Sequence, residues 1–372
     1  MKKRTFIKTS LAGLGGMFVS DHLGAESTGR PAEDLWKWSR ESVYATETPR
    51  GIRCLICPNE CTLKPGELSD CHNRINYKGK LYTIAYGNPC SIHIDPVEKK
   101  PLNHFLPGST TFSIATAGCN LACLNCQNWQ ISQTSPKETR NYDLMPDKVV
   151  QQAVKNNCKS IAYTYSEPIT FYEYVRDTSS AARPAGIRNI LVSNGYIKEE
   201  PLRELCKYID AANIDLKAYS EDIYQKLTGG NLKTILATLE IMKEEGVWLE
   251  ITNLVIPTWT DDMSMISKMC DWLANHGFSD TPLHFSRFMP LHKLTRLPAT
   301  PGDVLHRARE TAMQSGLKYV YIGNIPGLDE SDTYCPSCGE KIIERTGYQV
   351  MRMEISQGHC QHCNAEIAGV WR

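Results

Sequence analysis

The chain has 372 residues, enough at about 150 residues per domain for one enzyme-sized core with smaller appendages. Its 41% hydrophobic and 22% charged residues are ordinary for a globular protein and exclude the disordered and collagen-like classes. The 41 Lys plus Arg cancel the 41 Asp plus Glu, so no overall positive field favours nucleic acid or an anionic membrane surface.

In chain order, residues 1–30 read as a signal-like leader. Lys2, Lys3, Arg4 and Lys8 precede a weakly apolar, glycine-rich stretch from Leu11 to Val19. The run Lys3-Arg4-Thr5-Phe6-Ile7-Lys8 is similar to a twin-arginine export signal with lysine in place of the first arginine, which points to the periplasm. The 15 cysteines are too sparse for a small disulfide scaffold, and their clustering at gaps of two and three residues reads as metal ligation. The first group lies in a Cys-rich module over residues 31–105. It comprises Cys54, Cys57, Cys61 and Cys71, set among the loop formers Pro58, Pro65, Gly66 and Asp70. Turns of this kind point backbone amides at thiolate sulfur and suit tetrahedral zinc or an iron–sulfur cluster alike. Cys90 is a possible substitute ligand.

Residues 106–330 alternate short β-rich runs with helical ones, the pattern of parallel βα units. Strands are expected over 111–116, 160–165, 189–192, 212–216, 247–255, 282–286 and 317–322. Pro146 and Pro168 suit first helical turns, and Met263, Ile266, Cys270 and Leu273 make an apolar stripe. The fold class is therefore α/β, a partial or complete TIM-like barrel with small Cys-rich modules at both ends. After the first of these strands come Cys119-x3-Cys123-x2-Cys126, three cysteines without an obvious fourth. Three thiolates on a [4Fe-4S] cluster leave one iron without a protein ligand, free to chelate a substrate or cofactor. A closed zinc site would need a fourth ligand such as Cys90 or Cys158.

Barrel chemistry gathers at the carboxyl ends of the strands. Glu167, Ser193-Asn194-Gly195, Asp215 with Lys217, and Arg287 followed by His292 all fall there. Taken singly, Glu167 before Pro168 reads as a helix cap and Asp215 with Lys217 as a solvated pair. Their recurrence after successive strands argues for one polar rim. Cys158, Cys206 and Cys270 read as core.

The last group, Cys335-x2-Cys338 and Cys360-x2-Cys363 with 21 residues between, forms a zinc-ribbon-like module over 331–372. Gly339 and Asn364 suit its two knuckles, with strands over 341–345 and 348–355. His359 and His362 read as bystanders, and a cluster is the rival occupant. No run reaches the roughly 18 apolar residues of a membrane span.

The Cys119-x3-Cys123-x2-Cys126 spacing resembles the signature of the radical S-adenosylmethionine (SAM) superfamily. Residues 95–108, 118–129, 163–168 and 213–218, together with both outer cysteine groups, resemble the radical enzyme of the AmmeMemoRadiSam system. That enzyme is related to pyruvate formate-lyase activating enzymes. The resemblance covers about residues 50 to 372 and implies a [4Fe-4S] cluster on Cys119, Cys123 and Cys126, with S-adenosyl-L-methionine as cofactor. Glu167 would meet the methionyl amine, where Tyr165 and Ser166 replace the glycines of a Gly-Gly-Glu motif. Ser193 and Asn194 match a Thr-Asn-Gly motif, Asp215 and Lys217 would approach the methionine carboxylate, and His292 would lie near the adenosyl group. The implied activity is reductive cleavage of SAM to a 5′-deoxyadenosyl radical. That radical would take hydrogen from an unidentified substrate, a glycyl-radical-type protein among the candidates. A flavodoxin- or ferredoxin-like donor and zinc or a further cluster complete the expectation. This chemistry belongs to the cytoplasm, at odds with the leader. The alternative is a non-catalytic electron-transfer or structural metalloprotein.

Overall fold

The computed structural model describes residues 27–28, 37–325 and 330–372. The leader-like segment lies outside the described residues except for Ser27–Thr28, which pair antiparallel with Asn141–Tyr142. No helix among the described residues is long and apolar enough to cross a membrane.

The centre is an eight-stranded sheet of β1 (Ser91–Pro96), β2 (Thr110–Ala115), β3 (Ser160–Tyr163), β4 (Arg188–Ser193), β5 (Ala211–Asp215), β6 (Trp248–Val255), β7 (Leu283–Arg287) and β8 (Val320–Gly323), in sequence order across the sheet. β1 runs antiparallel to β2, and β2 to β8 are all parallel. β1 and β8 do not pair, so the sheet is a partial barrel. All seven parallel strands stand where the β-rich runs place them. The antiparallel strand β1 falls within the 31–105 segment.

The helices packed on the sheet are α1 (Pro146–Lys155), α2 (Tyr172–Ala182), α3 (Glu199–Cys206), α4 (Glu221–Thr228), α5 (Leu232–Glu244), α6 (Met263–Asn275) and α7 (Gly302–Gln314). Local chemistry sets their ends. Pro146 opens α1, where its missing N–H costs nothing. The side chains of Ser220, Asn231 and Asp262 accept from Ile223, Thr234 and Ser264 N–H groups and cap α4, α5 and α6. The α6 stripe of Ile266, Cys270 and Leu273 is buried, as are Cys158 and Cys206. Alternation along the strands divides the sheet's two faces. Phe112, Ile114, Ile161, Leu191, Ala212, Ile214, Ile251 and Leu283 join the main core. Asn213 and Asp215, Thr252 and Leu254, and His284 and Ser286 face a central cavity instead.

The two small modules are tied to the barrel by buried polar contacts. Arg74, from a strand at Arg74–Tyr77, donates to Glu173 on α2 at 2.6 Å, and each side chain is at most 2% exposed. Breaking one partner of such a pair leaves an uncompensated buried charge. Glu173→Gln is therefore expected to destabilise the fold by about 3–5 kcal/mol, seen as a lower urea midpoint at unchanged slope. At the other end, the strands Lys341–Thr346 and Gln349–Met353 form an antiparallel ribbon. Val370 N–H donates to the His104 carbonyl and the Val370 carbonyl accepts from Leu106, both at 2.7 Å.

Candidate active site

The loop after β2 carries Cys119, Cys123 and Cys126. Gly118 turns it with φ +100, and a Cβ there would run into the Cys71 carbonyl oxygen and the Asn73 side chain, so the site admits only glycine. Cys119 Sγ accepts from Leu121 N–H at 3.4 Å and from Asn194 Nδ2 at 3.7 Å. All three thiols face one cavity of about 1040 Å³ between the loop, the strand ends and the ribbon.

Glu167, just past β3, is 2% exposed. Its Oε1 accepts from Ser193 Oγ at 2.7 Å and from Ile169 N–H at 3.1 Å, and its Oε2 from Asn194 N–H at 2.8 Å. The carboxylate thus caps the Pro168–Phe171 turn and ties the ends of β3 and β4 together. Burial raises its pKa to about 7 against these donors. Asn194 also donates from Nδ2 to Asn120 at 2.9 Å, so its side chain spans from the β4 end to the cysteine loop.

At the end of β5, Lys217 Nζ lies 2.8 Å from Asp215 Oδ2, the two side chains being 18% and 35% exposed. Burial opposes the lysine's charge, but Asp215 and the Cys123 thiol outweigh it and the net shift is upward. Burial raises all three cysteines, Cys123 to about 11, with Lys217 acting in the opposite sense on Cys123 and Cys126.

The cavity therefore brings together Cys119, Cys123, Cys126, Glu167, Ser193, Asn194, Asp215 and Lys217. His292 does not line it. Its backbone is left-handed at φ 54, the neighbouring Lys293 N–H is held by the Leu124 carbonyl, and the ring stacks on Trp129 at 5.5 Å. It stands beside the cysteine loop.

Other contributors escape sequence reasoning. Tyr165 lines the cavity in a left-handed conformation, φ 64, that favours the glycine it replaces. Its carbonyl accepts from Asn128 Nδ2, and its hydroxyl donates to Asp95, itself 2.6 Å from the buried Lys100. His284 faces the cavity and bonds the buried Glu250 at 2.6 Å. Arg345, from the ribbon, donates to the Asn103 carbonyl at 2.7 Å. The signal for His284 was present, since it occupies an inward position of a β-rich run.

The chemistry of the donor set fits an iron–sulfur cluster with an amino-acid-like cofactor. It offers three thiols, a carboxylate for an ammonium and a lysine for a carboxylate. The Asn125 side-chain oxygen, in the same loop, is buried at the cavity without a partner. Spacing distinguishes the cysteine groups. Among the described residues, Cys335, Cys338, Cys360 and Cys363 are the one set of three or more candidate ligands whose atoms all lie within 4.8 Å of one another. Neither the Cys119 group nor Cys54, Cys57, Cys61 and Cys71 gathers so tightly. In the ribbon, Gly339 and Asn364 take φ 78 and 60, which turns each knuckle.

Residues 113–270 match the radical SAM superfamily. The chain is 43% identical over 318 residues to an uncharacterized protein of Methanocaldococcus jannaschii, covering 85% of this chain and 95% of that one. It is 27% identical over 164 residues to pyruvate formate-lyase 1-activating enzyme of Escherichia coli K12, covering 43% and 67%. Among solved structures, one of TYW1 with a lysine-pyruvate adduct superposes with a TM-score of 0.43 at 18% identity, covering 63% of this chain and 87% of that one. The chain belongs to the radical SAM superfamily of enzymes, which cleave S-adenosylmethionine at an iron–sulfur cluster.

Proposed function

We propose that Cys119, Cys123 and Cys126 hold the [4Fe-4S] cluster and that the cavity beside them binds SAM for hydrogen abstraction of the activating-enzyme type. One observation carries the reading: three thiols from one loop share a cavity with Glu167, Asn194 and Lys217, each from the end of a different strand. The cofactor, when bound and reduced by one electron, supplies a 5′-deoxyadenosyl radical. The chain's own residues bind and orient. Glu167 meets the ammonium, and Lys217, released from Asp215 or shared with it, meets the carboxylate. Asn194 braces the cysteine loop against β4. Farther in, Asn213, Thr252 and His284 provide polar contacts for the substrate. The activating-enzyme relatives make a glycyl site on a partner protein the first substrate to test, with a flavodoxin- or ferredoxin-like protein as donor.

At the ribbon, the Cys335–Cys363 and Cys338–Cys360 sulfur distances of 3.6 and 3.9 Å favour a single tetrahedral ion. Zinc–sulfur bonds of about 2.3 Å imply an edge of about 3.8 Å. A four-iron cube sets each thiolate on a different iron and spreads them farther. Zinc is the occupant we assign.

The deciding experiment incubates the anaerobically reconstituted protein with dithionite and SAM. 5′-Deoxyadenosine is the expected product, and its absence from a fully loaded sample would refute the assignment. The acidity of Glu167 adds a second test. Its folded pKa, raised by burial from 4.5 to about 7, gives stability that is present below 4.5 and lost as pH rises through 7. An ammonium partner favours the ionised form, so SAM affinity is expected to rise over that window. In Glu167→Gln both trends should flatten, measured by urea midpoints and by calorimetric titration across pH.

A further inference from the structure

We propose that His284, held by the buried Glu250, positions the substrate by accepting a hydrogen bond from a hydroxyl group on the carbon that loses its hydrogen. The substrate is then a small hydroxylated molecule. This rests on the reading of the cavity as a SAM site.

Strand register places His284. Asp215 on β5, Thr252 on β6, His284 on β7 and Tyr321 on β8 are successive Cα partners, so they form one row across the inner face of the sheet. All four line the cavity. The row starts at Asp215, beside the lysine assigned to the methionine carboxylate, and reaches His284 two strands on. At about 4.8 Å per strand the span is roughly 10 Å, room for a small molecule between the cofactor's anchor and the imidazole. His284 is the second residue of its strand and only 6% exposed, so it lies below the rim.

The rest of the row has already used its hydrogen bonds. Lys217 occupies Asp215 at 2.8 Å. Thr252 Oγ1 donates to Asn213 Oδ1 at 2.8 Å, and Asn213 Nδ2 donates to the Pro101 carbonyl at 2.8 Å. The Tyr321 hydroxyl lies between His104 Nε2 and Thr333 Oγ1. His284 differs. Its Nε2 lies 2.6 Å from Glu250 Oε2, and no group among the described residues bonds its Nδ1.

Glu250 fixes the role left to Nδ1. Its Oε2 also accepts from Asn103 N–H at 2.9 Å, and its Oε1 accepts from His104 N–H at 2.7 Å and from Trp248 Nε1 at 3.3 Å. A carboxylate surrounded by donors can only accept, so neutral His284 carries its proton on Nε2. Burial opposes the charge of Glu250, but the contact with His284 outweighs it and the net pKa shift is downward. Nδ1 then offers a lone pair to the cavity. A lone pair recognises a donor. A hydroxyl supplies one, whereas a peptide group would also bring a carbonyl for which this row holds no free donor.

The step balances. The substrate C–H bond breaks homolytically, the hydrogen atom passes to the 5′ carbon to give 5′-deoxyadenosine, and the unpaired electron stays on the substrate carbon. The hydroxyl keeps its proton, shared with Nδ1, and its oxygen lone pair stabilises the adjacent radical.

Two measurements on the full-length protein test this. With isotopic label at the histidine nitrogens, His284, assigned by the signal missing from His284→Gln, should show the Nε2–H tautomer in long-range proton–nitrogen spectra. A neutral ring with its proton on Nδ1 overturns the proposal. The second measurement gives the anaerobically reconstituted protein dithionite, SAM and an excess of a deuterated probe, and reads the labelled fraction of 5′-deoxyadenosine by mass spectrometry. Ethylene glycol deuterated on carbon should label the product. Its dimethyl ether, deuterated at the same carbons but lacking the donor, should label it about tenfold less, the worth of one hydrogen bond. In His284→Leu, labelling from the glycol should fall to the level of the ether. His284→Gln, whose side-chain oxygen accepts a hydrogen bond, should recover part of it. No label from the glycol in the wild-type protein, equal labelling by glycol and ether, or unchanged glycol labelling in His284→Leu overturns the proposal. So does label taken only from N-acetylglycinamide deuterated at its α carbon, which would make the substrate a peptide. The wild-type comparison of glycol and ether decides the matter even if a variant does not fold. If no 5′-deoxyadenosine forms at all, the reading of the cavity as a SAM site fails instead, so the two failures are distinguishable.

Discussion

Cys123→Ala is expected to reduce 5′-deoxyadenosine formation to the level of a control without enzyme, with loss of the visible absorbance of the cluster proposed on Cys119, Cys123 and Cys126. Cys123 is 8% exposed and sits in the middle of the loop that turns on Gly118. A cluster that already leaves one iron without a protein ligand would be held by two thiolates only. Alanine in a buried thiol position also costs little in packing, so the circular dichroism and urea midpoint of the metal-free protein should be nearly unchanged. This separates loss of the cluster from loss of the fold. Lys217→Met gives a graded contrast. It removes one charged contact to the cofactor, so affinity for SAM should weaken by about 1.5–3 kcal/mol while the cluster remains.

The second large effect concerns the ribbon. Cys360→Ser, or removal of metal by a chelator, is expected to unfold residues 331–372, measured by the loss of one bound zinc and by rapid proteolysis near Gly347. Structural zinc contributes about 10–16 kcal/mol to the folding of small zinc modules, far more than this ribbon's small core supplies. That core rests on Ile342, Ile343, Ile355 and Ile367 with Tyr319 and Tyr321 of the barrel. The damage should not stay local. Arg345 would leave Asn103, and Tyr321 would lose its 2.8 Å partner Thr333. Both Arg345 and Tyr321 line the cavity, so SAM turnover should fall even though no ribbon cysteine lines it.

What the sequence made legible follows from how each feature is encoded. The parallel strands and their helices announce themselves as apolar runs of fixed period, and the knuckles of the ribbon as Cys-x2-Cys with a residue suited to a left-handed turn. The rim residues Glu167, Asn194 and Lys217 could be read because each follows a strand directly. Glu250 could not, and His284 showed only as an inward position of a β-rich run. In a partial barrel the inward positions of a strand carry polar residues, and along Trp248–Val255 this looks the same as a sheet with one face in water. Arg345 bonds Asn103 across 242 residues of chain, a pairing that no local pattern encodes. Tyr165 was misleading in a different way. Its left-handed backbone should cost about 1–2 kcal/mol, and only the buried Asp95 and Lys100, some 65 residues earlier, explain why a tyrosine holds a glycine's place.

The edges of β1 and β8 do not pair with each other, and residues 370–371 pack instead against the segment that links β1 to β2. Val370 adds a short parallel bridge beside Phe105, and Trp371 packs on the His104 ring at 5.4 Å. Val370 and Trp371 therefore serve as a strut for that segment. Displacing Val370 and Trp371 would therefore loosen the backbone beside His104, whose own N–H is held by the buried Glu250.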